Sequence, residues 1–224
     1  MWSPDNTRIA FSSDRDGQLH IYEKLATGVG NEIELARVPA EPKFVNDWSS
    51  DGQFIAFHAL SGKTRADLWI LPLFGDRQPY PFLQTQFGET FARFSPNGRW
   101  VAYTSDETGP RELFVQSFPA GRGKWQISRA GSGPPEWRAD GKELFYVSVD
   151  KRMAVDVKTD GDAFEASTPK QLFEIRGPSV PGAGGVPAFD ASNDGKRFLI
   201  AASVEDYVFT PITVVLNWTA DLKK

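Results

Sequence analysis

Trp48-Ser49-Ser50-Asp51-Gly52-Gln53-Phe54-Ile55-Ala56-Phe57 sets an aromatic residue before an Asp-Gly turn, and the turn before a run of β-forming residues. The phrase recurs four times. Trp2-Ser3-Pro4-Asp5-Asn6 leads into Arg8-Ile9-Ala10-Phe11, and Phe94-Ser95-Pro96-Asn97-Gly98 into Trp100-Val101-Ala102-Tyr103. Trp137-Arg138-Ala139-Asp140-Gly141 leads into Glu143-Leu144-Phe145-Tyr146. A worn copy, Ala191-Ser192-Asn193-Asp194-Gly195, leads into Arg197-Phe198-Leu199-Ile200. Successive copies start 46, 46, 43 and 54 residues apart. A period in the forties built from turns and strands is the signature of β-propeller blades, each a four-stranded antiparallel sheet.

An all-β propeller with about five repeats follows, divided near residues 1–42, 43–89, 90–132, 133–185 and 186–224. Three repeats read as complete. The first lacks its innermost strand and the last its outermost, so the expectation is an incomplete piece of a six- or seven-bladed propeller whose remaining blades lie upstream. In the fourth repeat the expected strands are Gly133 to Trp137, Glu143 to Val147, Arg152 to Val157 and Lys170 to Ile175. Gly177 to Pro187 reads as a long loop, followed by strands at Val186 to Asp190, Arg197 to Ala202 and Thr210 to Trp218.

Composition narrows the function classes. The 224 residues carry a formal charge of −4, which offers no clustered basic face for nucleic acid. There is no cysteine, and hence no disulfide or thiolate metal site. No apolar run is long enough to span a membrane. The sequence carries no Gly-x-Ser-x-Gly elbow, no His-Arg-Asp and no Asp-Phe-Gly, so no catalytic residue is assigned.

The recurring residues have structural explanations first. Gly52, Gly98, Gly141 and Gly195 supply the positive φ that a two-residue hairpin turn demands. Trp2, Trp48, Phe94 and Trp137 hold one place in the repeat and are expected to fill the seams between blades. His20 and His58 read as ordinary strand residues, since two histidines without ligand spacing do not make a metal site. Asp14-Arg15-Asp16-Gly17 reads as a turn, because the rest of a calcium loop is missing. No cofactor is implied. The charged residue before each repeat aromatic is the candidate binding set: Asp47, Arg93, Glu136 and Asp190 end the inner strands and belong at one mouth of the central channel.

The Trp-Ser-Pro-Asp phrase with strands such as Asp67-Leu68-Trp69-Ile70 resembles the TolB-type propeller repeat. Arg111 to Pro119, Lys124 to Ser128, Trp137 to Tyr146 and the closing Pro211 to Ala220 further resemble the C-terminal propeller of bacterial serine/threonine protein kinases. That resemblance implies a non-catalytic sensor or scaffold domain behind a kinase domain and a membrane segment. It would lie outside the cytoplasm and recognise a protein, peptide or cell-envelope ligand. The alternatives are an accessory propeller of a prolyl-oligopeptidase-like peptidase and a stand-alone TolB-like periplasmic protein.

Overall fold

The computed structural model describes residues 1–36, 42–121, 123–161, 163–175 and 189–200, with the backbone of Val214–Val215. Five antiparallel sheets follow one another in chain order. The first holds β1 (Arg8–Ser13), β2 (His20–Leu25) and β3 (Ile33–Ala36), with Trp2 alone bridging Ile9 where an inner strand would run. The second holds β4 (Lys43–Trp48), β5 (Phe54–Ser61), β6 (Arg65–Pro72) and β7 (Tyr80–Leu83), paired in that order. The third repeats it with β8 (Glu89–Phe94), β9 (Trp100–Ser105), β10 (Glu112–Ser117) and β11 (Lys124–Gln126).

The fourth sheet runs β12 (Glu136–Trp137), β13 (Glu143–Ser148) and β14 (Lys151–Asp160), with both β15 (Ala163–Ala166) and β16 (Lys170–Glu174) paired to β14. The last has β17 (Phe189–Ala191), β18 (Phe198–Ile200) and β19 (Val214–Val215). The expected Gly177–Pro187 loop lies outside the described residues. So does most of the strand expected over Thr210–Trp218 and of the closing phrase Pro211–Ala220.

Each hydrophobic cluster is a seam between consecutive sheets. The first seam joins Ala10 and Ile21 to Trp48, Ile55 and Phe57; the second joins Ala56, Leu68 and Ile70 to Phe94, Val101 and Tyr103. The third joins Ala102, Leu113 and Val115 to Trp137, Leu144 and Tyr146, and the fourth joins Phe145 and Leu172 to Phe198. Neighbouring strand positions serve opposite seams, as the two-residue side-chain period requires: Ile55 and Phe57 face the first sheet, while Ala56 faces the third. Trp48, Phe94 and Trp137 are buried in these seams. Trp2 departs from the expectation and is 55% exposed, because no described sheet stands on its side.

Three further local readings change. The repeat turn is not a two-residue hairpin turn, which would need two successive residues at positive φ. Only Gly52 is left-handed (φ 73°), and residues 49–53 form the connection. Ser49 organises it: its carbonyl accepts from the Gly52 N–H at 2.9 Å, and its Oγ accepts from the Phe54 N–H at 2.9 Å while donating to Asp51 at 2.6 Å. Ser3, Ser95 and Ser192 repeat the pattern. Second, the inner strand of the fourth sheet shrinks to Glu136–Trp137, since Pro134 and Pro135 have no N–H for the ladder. Third, β14 runs on to Asp160 and folds back through β15. Phe164 on that hairpin packs 5.2 Å from Trp100 and 5.1 Å from Trp125 of the preceding sheet.

Candidate functional site

β-Bulges aim the mouth charges. β4 shifts register between Val45 and Asp47, and β8 between Thr90 and Arg93. Phe91 sits in that second bulge at φ 59°, a rare conformation for a large side chain. Asn46 of the second sheet braces it, its Oδ1 accepting from the Ala92 N–H at 3.3 Å. Past the bulges, Asp47 and Arg93 turn to the same end of the molecule as Glu136 and Asp190.

Arg93 is the hub. Its guanidinium lies 3.5 Å from Asp47 on the second sheet and 3.5 Å from Glu136 on the fourth, and it donates to the Asn46 carbonyl. Its own carbonyl accepts from the Trp137 indole N–H at 3.2 Å. Asp47 accepts in turn from the Phe94 N–H at 2.8 Å. One side chain therefore ties three consecutive sheets together.

The electrostatics follow from burial. Desolvation pushes the Asp47 carboxyl up, against the pull of Arg93 and the Phe94 N–H. Glu136 is pushed up to about 7 by burial, with Asp47 and Asp190 adding to the rise and Arg93 and Arg152 opposing it.

These charges rim a cavity of about 780 Å³. Trp2, Trp137 and Phe189 supply apolar wall; Asp47, Arg93, Glu136 and Asp190 supply the charge. The structure thus brings all four sequence-derived candidates to one cavity. Behind Phe189 stands a residue the sequence reading did not single out. Arg152 is fully buried, its Cζ 3.3 Å above the centre of the Phe189 ring. None of its nitrogens meets a hydrogen-bond partner among the described residues. Burial holds its pKa well below the usual arginine range, against the pull of Glu136 and Asp190. An isolated arginine in a strand carries no sequence signal, because only the fold brings the rings of Phe145, Phe189 and Phe198 around it.

The histidines lie elsewhere. His20 pairs with Glu34 at 3.0 Å, while His58 is buried against Phe44 and bonded to Asn46, with its pKa lowered to about 4 by burial. The Asp14–Gly17 segment is a turn closed by the Gly17 N–H on the Asp14 carbonyl at 2.8 Å.

No family model matches the chain, and no curated protein sequence does. Solved structures do. A putative TolB from Agrobacterium tumefaciens superposes with a TM-score of 0.61 at 20% identity, over 82% of this chain and 70% of that one. TolB from Acinetobacter baumannii gives 0.62 at 20% identity, over 91% of this chain and 48% of its own length. A periplasmic gluconolactonase from Pseudomonas aeruginosa gives 0.59 at 13% identity, over 89% of this chain and 63% of that chain. The fold is a TolB-like β-propeller fold.

Proposed function

We propose that this chain works by binding rather than by catalysis, and that its channel mouth receives a segment of a protein or peptide partner. The observation that carries this reading is the cavity of about 780 Å³. Four sheets contribute charge to it, and aromatic rings form its wall. Its size and mixed lining suit a side chain or short loop of a partner. The serine hydroxyls that line it are spent on local structure: Ser50 donates to the Pro96 carbonyl and Ser95 to Asn97, so neither is a free nucleophile. Fold alone does not choose between binding and chemistry, as TolB proteins and a gluconolactonase share it. The choice rests on the site.

The same reading places the domain outside the cytoplasm, by analogy with the periplasmic neighbour. From the wording of Arg111–Pro119, Lys124–Ser128 and Trp137–Tyr146, it makes the domain a sensor or scaffold attached to a bacterial serine/threonine kinase. A stand-alone TolB-like protein is the second reading, favoured by the likeness to the two TolB structures.

The test is a displayed-peptide selection on the full chain, followed by affinity measurements on Asp190→Arg and Asn193→Arg. Both residues are exposed at the cavity rim. Selected peptides should lose about tenfold in affinity on either variant, since one reverses a rim charge and the other adds a bulky cation to the rim. Peptides that bind both variants as well as the parent chain would move the site away from the mouth.

A further inference from the structure

The second seam carries a pair of buried acids with no ion-pair partner among the described residues; Lys124 acts on Glu89 only from a distance. Ala66 of β6 and Gly88 form a parallel bridge between the second and third sheets, so Asp67 and Glu89 follow side by side across it. Both are fully buried, at 0% and 1% exposure. One oxygen of each is satisfied: Asp67 Oδ2 accepts from Thr64 at 2.8 Å and Gln84 at 3.0 Å, and Glu89 Oε1 accepts from Thr85 at 2.5 Å. The other oxygens, Asp67 Oδ1 and Glu89 Oε2, are sealed from solvent and meet no donor among the described residues.

The charged groups around the pair are engaged elsewhere. Arg65 pairs with Asp106 at 2.6 Å, Lys124 with Glu107, and the buried Glu112 takes its bonds from Ser128 and the Gly131 N–H. Tyr103 stands nearby, its phenol pushed up by burial, with Glu107 and Glu89 adding. Burial and mutual repulsion both disfavour two adjacent charged carboxylates, and Lys124, already held by Glu107, opposes this least of the groups acting on Glu89. A protonated carboxyl, by contrast, becomes a donor as well as an acceptor.

We propose that Glu89 keeps a carboxyl proton in the seam, its orphan oxygen donating toward that of Asp67, and that this proton latches the second sheet to the third. Burial raises the Glu89 carboxyl and the neighbouring Asp67 adds to the rise, outweighing the Thr85 hydroxyl and N–H and the more distant Lys124, which favour the charge. Loss of the proton to solvent leaves two unsatisfied anions in the seam. Glu89 begins the strand, β8, that ends at Phe94, whose N–H donates to Asp47 at the mouth. The inference does not depend on what the mouth binds.

Because folded Glu89 holds its proton more tightly than in the unfolded chain, its contribution is complete below the ordinary glutamate range. It is lost as pH rises through the folded Glu89 titration. The experiment is thermal unfolding of the full chain between pH 5 and 9, for the parent, Glu89→Gln and Asp67→Asn. Glu136 adds a slope of the same sign, so the reading is the difference between parent and variant. The parent should lose about 4 °C of midpoint per unit by which Glu89 is raised. Glu89→Gln, whose amide donates where the acid proton did, should remove that part of the slope and keep the acid-side midpoint. Infrared difference spectra of the parent should show a protonated carboxyl stretch that Glu89→Gln abolishes, which settles the matter even where a variant folds poorly. Equal slopes in parent and Glu89→Gln, or no such band, would overturn the proposal in favour of a bridging water. Stabilisation by calcium that EDTA reverses would overturn it in favour of a metal ion.

Discussion

The first three seams and the fourth solve one packing problem in opposite ways. In the first three, a small residue of one repeat faces the large aromatic of the next: Ala10 with Trp48, Ala56 with Phe94, Ala102 with Trp137. In the fourth the sizes are exchanged. Phe145 stands at the alanine position and Ala191 at the aromatic position. Gly195 completes the exchange, since a Cβ there would lie 3.0 Å from the Phe145 ring and 2.9 Å from Arg138. The repeat therefore preserves seam volume rather than a string of residues, as close-packed interiors require. The fourth seam differs in one more respect: it buries Arg152 among aromatic rings, its nitrogens without a hydrogen-bond partner among the described residues.

The strongest way to break this comparison is to trade the residues. Phe145→Ala alone should destabilise by about 3–5 kcal/mol, the usual cost of a large core truncation. Ala191→Trp alone should cost about 1–3 kcal/mol by overpacking. The double variant, which rebuilds the pattern of the other seams, should recover much of both losses. Urea unfolding of the four proteins gives the coupling directly. Strict additivity would mean that the two positions do not share a space, and the account of the fourth seam would fail.

This exchange explains what the sequence hid. The turn and strand chemistry around Asp51-Gly52 is local, so it repeats visibly and the propeller follows from it. Compensation between residues 46 positions apart is not local. Read one repeat at a time, Ala191 looks like decay; only packing against Phe145 makes it a fit. The β14–β15 hairpin had a signal in Asp160-Gly161, but the anchor that makes it form, Phe164 against Trp100 and Trp125, belongs to another sheet. The mouth was legible for the same reason as the turns. Asp47, Arg93, Glu136 and Asp190 sit at one offset from the repeat aromatic, so periodicity alone brings them together. Arg152 and the Asp67–Glu89 pair have no such register with the turn, and only burial marks them.

A smaller effect sharpens the contrast between the seams. Arg152→Met replaces a buried cation that has no hydrogen-bond partner among the described residues with an apolar chain of similar reach. Removing such a charge is commonly neutral or stabilising, so the expected gain is of order 1 kcal/mol in urea unfolding. A clear loss instead would show that the guanidinium holds the fourth seam together.

The smallest effect lies where the third and fourth seams meet. Glu136 precedes the seam residue Trp137, and its carboxyl stands near 7 because burial dominates, with Asp47 and Asp190 adding to it. Arg93 and Arg152 pull it down. Its folded value lies above that of an unfolded glutamate, so its contribution to stability is complete below the ordinary glutamate range near 4.3. That contribution falls as pH rises toward 7 and is level above it. A ¹³C titration of the Glu136 side chain should therefore show a midpoint near 7. Arg152→Met should move that midpoint upward, since one opposing cation is gone, while Asp190→Asn should move it downward by removing a like charge. A midpoint in the ordinary glutamate range, unmoved by either change, would separate Arg152 from the mouth. The cation of the fourth seam would then be a packing feature alone, with no part in setting the charge that a partner meets.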